Sequence, residues 1–288
     1  MCVLVILFLC RYTYINKLFW ICKEEVLHMR SEIYYFSGTG NCLAIARQIN
    51  ERLIEKGRVI PITAIDGKLT VEADRVGFVF PVYYHKVPDF VKQFILNMEF
   101  TTAPYIYAVA THNGAIGQSL FDVKALLAKK GQSLSLGCTI AMPGNAFVTP
   151  PDIELERLAA AEQEVKEIAG LIERQEEGAI AGHKGLIEQI RNAVVSFAAK
   201  HYGFAPKRFK VSDDCTGCKR CEKLCPVNSI CLLDGKPEWK KKCTACLACF
   251  HWCPEEAIYL DNPYIGKRRK YRHPDIGVED MMDAQRSL

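Results

Sequence analysis

The stretch YYFSGTGNCLAIA, residues 34–46, passes from an apolar segment through two glycines into a second apolar segment. Its first part predicts a buried strand, and the part from Asn41 predicts a helix because apolar residues recur there at helical spacing. A strand that turns directly into a helix points backbone N–H groups and the positive end of the helix dipole at one place, which suits a phosphate. Gly38 and Gly40 allow the backbone to wrap closely around the anion. Side-chain donors without positive charge are available from Ser37, Thr39 and Asn41.

Two other kinds of phosphate-binding loop do not match this stretch. A dinucleotide-binding fingerprint needs a third glycine at the position of Leu43, and a Walker A loop needs a lysine that this stretch lacks. A plain glycine turn without a ligand stays open as the structural alternative.

Outward from this loop, the sequence alternates strands with helices. The segments between the predicted strands show helical spacing, and two of them end at Gly57 and Gly131. The predicted strands cover residues 32–37, 58–63, 75–83, 105–113 and 132–143. Strands separated by helices of about 10–15 residues form a parallel sheet that is covered on both faces. We therefore predict an α/β fold with a doubly wound parallel five-stranded sheet in the order 2-1-3-4-5.

Two further loops fall where a ligand of such a sheet binds, outside the carboxyl ends of the strands. The third strand runs into FPVYYHK, residues 80–86, where Tyr83 or Tyr84 can stack on an aromatic ring. The fourth runs into THNGAIG, residues 111–117, which offers hydrogen-bond donors and close backbone contact. For each loop, the alternative is a surface loop that binds nothing.

Eight of the fourteen cysteines form two copies of one pattern. CTGCKRCEKLCP, residues 215–226, repeats 28 residues later as CTACLACFHWCP, residues 243–254. Each copy is C-x2-C-x2-C-x3-C-P, the run that holds a [4Fe–4S] cluster in bacterial ferredoxins. In this pattern, the fourth cysteine of each copy ligates the other cluster.

We therefore predict two [4Fe–4S] clusters with exchanged fourth ligands. One is assigned to Cys215, Cys218, Cys221 and Cys253, and the other to Cys243, Cys246, Cys249 and Cys225. A pair of zinc ribbons is the alternative, although zinc needs only two C-x2-C pairs. A disulfide framework is usual in short secreted chains, and this chain has no clear export signal. Cys231, which aligns with Tyr259 of the repeat, is predicted to be a packed strand residue.

The loop SGTGN resembles the FMN-phosphate loop of flavodoxins, S/T-x-T-G-x-S/T, with Cys42 at the last hydroxyl position, where a thiol is a poorer donor. From Met29 onward, the chain resembles a family in which a flavodoxin-like domain is fused to a C-terminal bacterial-type 2[4Fe–4S] ferredoxin. The likeness includes MPGN near residue 142 and KYRHP late in the tail. It implies FMN and two [4Fe–4S] clusters in a reducing cytoplasm. The residues expected to bind FMN are Ser37, Gly38, Thr39, Gly40, Asn41, Cys42, Pro81, Val82, Tyr83, Tyr84, Thr111, His112, Asn113 and Gly114.

Five regions follow from these patterns. They are an N-terminal extension (1–28), the flavodoxin-like domain (29–150), a helical spacer (151–206), a small α+β ferredoxin domain (207–262) and a tail with few signs of a core (263–288). A packing or spacer role is expected for the two helices of the spacer. The apolar run of the extension is too short to span a membrane and lacks the flanks of a signal peptide. This favours Met29 as the start of the protein, with a weak membrane-associating segment as the alternative.

The sequence thus predicts a protein that relays electrons between FMN, two clusters and redox partner proteins. A net charge of +4 gives no support to nucleic-acid binding. No residue stands out as a general base or nucleophile. Two alternatives stay open: a ferredoxin whose flavodoxin-like domain is a flavin-free docking module, and an iron–sulfur redox sensor.

Overall fold

The computed structural model describes residues 29–178, 180–182, 185–198, 206–262 and 269–284. The predicted N-terminal extension and the first residues of the predicted tail, 263–268, lie outside the described residues. In the described part of the chain, no helix has both the length and the apolar character needed to cross a bilayer.

Between residues 29 and 144, the structure has seven strands. They are β1 (Ser31–Tyr35), β2 (Arg58–Pro61), β3 (Leu69–Val71), β4 (Arg75–Pro81), β5 (Met98–Phe100), β6 (Tyr105–His112) and β7 (Leu136–Ala141). Five of them form one sheet in the order β2-β1-β4-β6-β7, and each neighbouring pair is parallel. The predicted five-stranded parallel sheet and its strand order are therefore confirmed. The short strands β3 and β5, which the sequence analysis did not predict, pair with each other.

Four helices accompany the sheet. They are α1 (Asn41–Arg52), α2 (Asp89–Asn97), α3 (Ser119–Ala128) and α4 (Pro151–Glu173). α1 starts directly after Gly40, whose φ of 96° glycine adopts at little cost. α4 has Pro151 in its first turn, where the missing N–H costs no helical hydrogen bond. Glycine and proline thus set these boundaries locally.

α4 is a structural part of the sheet domain. Its side chains Val165, Ile168 and Ile172 belong to the same buried core as Ile33 of β1 and Phe78 of β4. Fully burying an apolar side chain of this size stabilises a fold by roughly 1.5–3 kcal/mol. This helix was expected to act in packing or as a spacer, and it packs into the core of the sheet domain.

The cysteine-rich region follows α5 (Leu186–Ala198) and is built from short elements. These are β8 (Phe209–Val211), α6 (Arg220–Lys223), β9 (Ile230–Leu233), β10 (Lys236–Trp239), α7 (Ala248–His251) and β11 (Ile258–Leu260). β9 pairs with β10, and β8 pairs with β11, both in the antiparallel sense. Cys231 lies half-buried in β9, opposite Glu238.

The backbone of this region repeats with the same 28-residue offset as the cysteines, since α7 corresponds to α6 in both its ends. Left-handed residues repeat as well. Lys219 and Leu247 both have a φ of 62°, while Asn228 and Glu256 have φ values of 49° and 48°. Positive φ is uncommon for such side chains. Both copies therefore adopt the same unusual loop shape.

The described part of the tail packs against the sheet domain, which corrects the expectation of few core residues. It includes α8 (Val278–Asp283). Arg47 of α1 forms an ion pair of 2.6 Å with Asp280, and the Thr63 hydroxyl donates to the Ala284 carbonyl over 2.6 Å. The expectation was wrong because the apolar residues of the tail are too widely spaced to form a periodic pattern. Those that are buried are Tyr271, Ile276, Met281 and Ala284.

Candidate cofactor sites

A cleft at the carboxyl ends of the central strands brings together three loops that the sequence analysis had treated separately. Of the residues expected to bind FMN, all except Gly40, Tyr84 and Gly114 line it. The cleft also contains four residues that were not on that list, Met142, Pro143, Gly144 and Asn145. In the sequence, these four residues form the stretch MPGN, which was noted only as part of the family resemblance.

The loop between β1 and α1 is organised by the Ser37 hydroxyl. This oxygen accepts hydrogen bonds from the N–H groups of Gly40, at 3.0 Å, and Cys42, at 3.2 Å. The Asn41 amide nitrogen donates to the Pro143 carbonyl at 3.0 Å. These bonds fix the turn at the start of α1, where the helix dipole favours an anion.

The Cys42 thiol faces the end of β6, with its sulfur 3.2 Å from the Thr111 hydroxyl oxygen. Burial raises the pKa of Cys42 to about 12, and the hydrogen bond with Thr111 lowers it in part. The group is therefore a neutral thiol at physiological pH, in contact with one of the other predicted site residues.

The loop after β4 contains a tight turn with two non-glycine residues in the left-handed region, Tyr84 at φ 52° and His85 at φ 64°. Two backbone hydrogen bonds of 3.0 Å between Tyr83 and Lys86 close this turn. Tyr83 lines the cleft, whereas Tyr84 packs with the core of the cysteine-rich region. Strained backbone of this kind concentrates at functional sites. The turn thus directs one tyrosine to each half of the molecule.

The loop after β6 is held by a residue that sequence reasoning missed. Arg157 of α4 donates to the Met142 carbonyl at 3.1 Å and also to the side-chain oxygen of Asn113. His112 Nδ1 accepts from the Gly114 N–H at 3.1 Å. Burial lowers the pKa of His112, and the nearby Arg157 lowers it further. No local signal marks an arginine on a charged helix as the support of a cleft loop.

The tail covers the loop between β1 and α1 from the outside. The His273 N–H donates to the Thr39 carbonyl at 2.9 Å, and the Tyr271 hydroxyl donates to the Asn41 side-chain oxygen at 2.7 Å. The cleft encloses about 60 Å³, whereas pockets that hold drug-sized ligands enclose roughly 300–1,000 Å³. The donor set fits a phosphate, while an aromatic ring requires the loops to move apart.

The first group of predicted cluster cysteines lines one narrow cavity, formed by Cys215, Cys218, Cys221 and Cys253. Cys253 comes from the second copy of the motif. Burial raises the pKa of Cys221 to about 12, and the neighbouring Cys218, Cys253 and Cys215 raise it further.

The other four cysteines are likewise neighbours. Burial raises the pKa of Cys246 to about 12, and among its neighbours Cys243 and Cys225 raise it further. Burial also raises the pKa of Cys249, with additions from Cys246 and Cys243 and from Cys221 of the first group. Cys225 comes from the first copy.

Each group therefore offers the four-thiol donor set of a [4Fe–4S] cluster. Across the described residues, no group of three or more histidine, cysteine, aspartate or glutamate side chains is arranged to hold a single metal ion. A four-iron cluster needs its thiolates farther apart than a single ion does, because each of the four thiolates binds a different iron atom.

A family model described as a flavodoxin domain matches residues 32–113. The matched range runs from β1 to the residue after β6 and contains the loop between β1 and α1. Together with the parallel sheet, it identifies residues 32–113 as a flavodoxin-like domain. No curated protein matches the chain.

Several solved structures are similar to half of the chain. A flavodoxin from the domain Archaea is 14% identical with a TM-score of 0.36, covering 50% of this chain and 99% of its own. The flavodoxin of Streptococcus pneumonia TIGR4 is 17% identical with a TM-score of 0.34, covering 48% and 98%. Rubredoxin oxygen:oxidoreductase from the anaerobe Desulfovibrio gigas is 17% identical with a TM-score of 0.34, covering 50% of this chain. This chain spans only 35% of that last protein.

Proposed function

We propose that this chain, in which residues 32–113 form a flavodoxin-like domain, relays electrons between one FMN and two [4Fe–4S] clusters. Its partners are redox proteins of a reducing cytoplasm. FMN exchanges one or two electrons when bound, and each cluster exchanges one, so the chain can connect one-electron carriers with a two-electron donor or acceptor.

The observation that carries the proposal is the grouping of the eight cysteines, in which each group combines three cysteines of one motif copy with one of the other. Cys253 of the second copy shares a cavity with Cys215, Cys218 and Cys221, and Cys225 of the first copy neighbours Cys246 of the second. This exchange is the ligand pattern of bacterial two-cluster ferredoxins. It also ties together a region that is too small to bury much surface alone.

In the cleft, the residues of this chain would bind the phosphate of FMN and orient its ring. Backbone N–H groups of the loop between β1 and α1 would bind the phosphate together with the buried Thr39. Neither lysine nor arginine is among the cleft residues that the structure describes. Tyr83 would flank the ring, and residues 111–113, supported by Arg157, would contact its polar edge.

In the cluster region, the chain also sets the electrostatic surroundings of the sulfur atoms. The Ser229 N–H donates to the Cys225 sulfur at 3.1 Å, and the Ala245 N–H donates to the Cys243 sulfur at 3.4 Å. Hydrogen bonds to cluster sulfurs are among the factors that set the reduction potential.

Cofactor analysis after anaerobic purification tests the proposal. We expect about eight iron atoms and eight sulfides per chain, four for each cluster, together with about one FMN. The Cys231→Ser variant, which changes a cysteine outside both motifs, is the control and should keep the full iron content. Zinc in place of iron, or iron without flavin, contradicts the proposal.

The narrow cleft favours a second candidate, in which the flavodoxin-like domain binds no flavin and serves as a docking module for the ferredoxin region. This candidate predicts full iron content and no flavin, even after incubation with excess FMN. The same analysis therefore separates the two functions.

A further inference from the structure

Gly38 occupies a position that the flavodoxin phosphate-loop pattern S/T-x-T-G-x-S/T leaves open. Its backbone lies outside the left-handed region, so its conformation does not require glycine. The space around it does. A Cβ atom at Gly38 would lie 2.6 Å from the Cys246 carbonyl oxygen and 3.1 Å from the Tyr83 hydroxyl. Glycine is needed here because the second cysteine motif approaches the loop.

Trp252 joins the second motif directly to the loop, and Asn145 and His251 join it to neighbouring segments of the cleft and the tail. The Trp252 indole N–H donates to the Gly38 carbonyl at 3.0 Å, and the Asn145 amide donates to the Cys246 carbonyl at 3.2 Å. His251 Nδ1 accepts from the Tyr271 N–H at 3.1 Å, so its Nε2 carries the proton and donates to the Asn145 carbonyl at 2.9 Å.

This junction is buried, whereas part of the first motif is exposed. Trp252 is 2% exposed and Cys246 is 7% exposed. Both belong to the hydrophobic core of the sheet domain. In the first motif, Cys218 is exposed. The two cysteine groups therefore have different positions, one against the loop and one toward solvent.

We propose that the second cysteine motif is part of the phosphate-binding site, so that FMN binding is coupled to the integrity of the group formed by Cys225, Cys243, Cys246 and Cys249. The inference rests on the proposed function and adds which group is coupled to FMN. Gly38, Asn145 and Trp252 are the positioning residues of this coupling.

The coupling follows from the contacts. The Cys246 carbonyl and the Trp252 indole hold the loop in one conformation, and both lie within the segment that a cluster would order. A binding coupling is reciprocal and commonly amounts to about 5- to 150-fold in affinity. Damage to the second cysteine group should therefore weaken FMN binding by a factor in this range.

Fluorescence titration of the FMN-depleted, cluster-containing full-length chain with FMN tests the contacts. Gly38→Ala forces the loop away from Cys246. Trp252→Phe leaves the buried Gly38 carbonyl without its hydrogen-bond donor, and we expect this loss to lower the affinity for FMN by about 5- to 150-fold. Both variants should bind FMN more weakly by such factors. Gly185→Ala, at a glycine whose Cβ would meet nothing within 4 Å, should bind like the unmodified chain. If Gly38→Ala fails to fold, Trp252→Phe decides.

Cysteine variants test the coupling itself. Cys249→Ser should weaken FMN binding, whereas Cys231→Ser, at a cysteine outside both groups, should leave it within about twofold, with the iron content of each variant measured alongside. Equal FMN affinity in Trp252→Phe, Cys249→Ser and the unmodified chain overturns the coupling and leaves the proposed function intact. If the unmodified chain binds no FMN, the proposed function fails together with the coupling.

Discussion

The hydrogen bond between Tyr271 and Asn41 allows a quantitative test of how the tail is held on the loop. The Tyr271 hydroxyl donates to the Asn41 side-chain oxygen at 2.7 Å, and the two residues are 5% and 6% exposed. Tyr271→Phe removes the donor and leaves a buried acceptor without a partner, which costs about 1–3 kcal/mol. The Asn41 amide still donates to the Pro143 carbonyl, so the loop should keep its shape.

The lost free energy should appear as easier opening of the tail. The His273 N–H donates to the Thr39 carbonyl, so hydrogen exchange of this amide reports on the opening. Lowering the opening free energy by about 1–3 kcal/mol accelerates exchange by about 5- to 150-fold. Exchange measured residue by residue on the folded full-length chain gives this number directly.

Tyr105→Phe is the matched control. Its hydroxyl also makes a 2.7 Å hydrogen bond, to the Glu176 carbonyl, but at the other end of the sheet, where β6 begins. This variant should leave the exchange of His273 unchanged. Similar exchange of His273 in Tyr271→Phe and in the unmodified chain, or equal acceleration in both variants, would refute the argument that this bond holds the tail.

Three more outcomes are expected from the same structure. Thr39→Ala removes a hydrogen bond to a charged phosphate, worth about 1.5–3 kcal/mol, and should weaken FMN binding by roughly ten- to a hundredfold in a fluorescence titration. Riboflavin, which lacks the phosphate, should bind weakly to both forms, and equal affinities for the two flavins would contradict the phosphate loop. Cys225→Ser should disturb the cluster held by residues 243–249 in site-resolved spectroscopy, and damage confined to the cluster of residues 215–221 would refute the ligand exchange. A chain that begins at Met29 should fold and bind both kinds of cofactor, as measured by its iron and flavin content, and loss of either would show that residues 1–28 are needed.

The sheet and its strand order could be predicted because their signals are local. Each strand is a short apolar run, and Gly40, Pro88 and Pro150 stand directly before α1, α2 and α4. The strand–turn–helix around Gly38 and Gly40 is also a local feature, so the position of the loop could be predicted. The 28-residue cysteine repeat is equally visible in the sequence, and the backbone follows it down to the left-handed residues Lys219 and Leu247.

The junction between the two halves could not be predicted because its contacts join distant residues. Asn145 meets Cys246, and Tyr271 meets Asn41, across separations of 101 and 230 residues. A lone asparagine or tyrosine carries no periodic signal that announces such a partner. For the same reason, the sequence could not decide between Tyr83 and Tyr84 as the tyrosine of the cleft. Their opposite directions follow from the left-handed turn, which their sequence does not mark.

An electron relay of the kind we propose requires that flavin and clusters exchange electrons within one chain. Flash reduction of the fully loaded protein, with the flavin and cluster absorbances followed in time under anaerobic conditions, tests it most directly. For transfer within one chain, we expect the two signals to relax against each other at a rate that does not change when the protein is diluted tenfold. A rate that falls in proportion to dilution, or no exchange between the two signals, would contradict it.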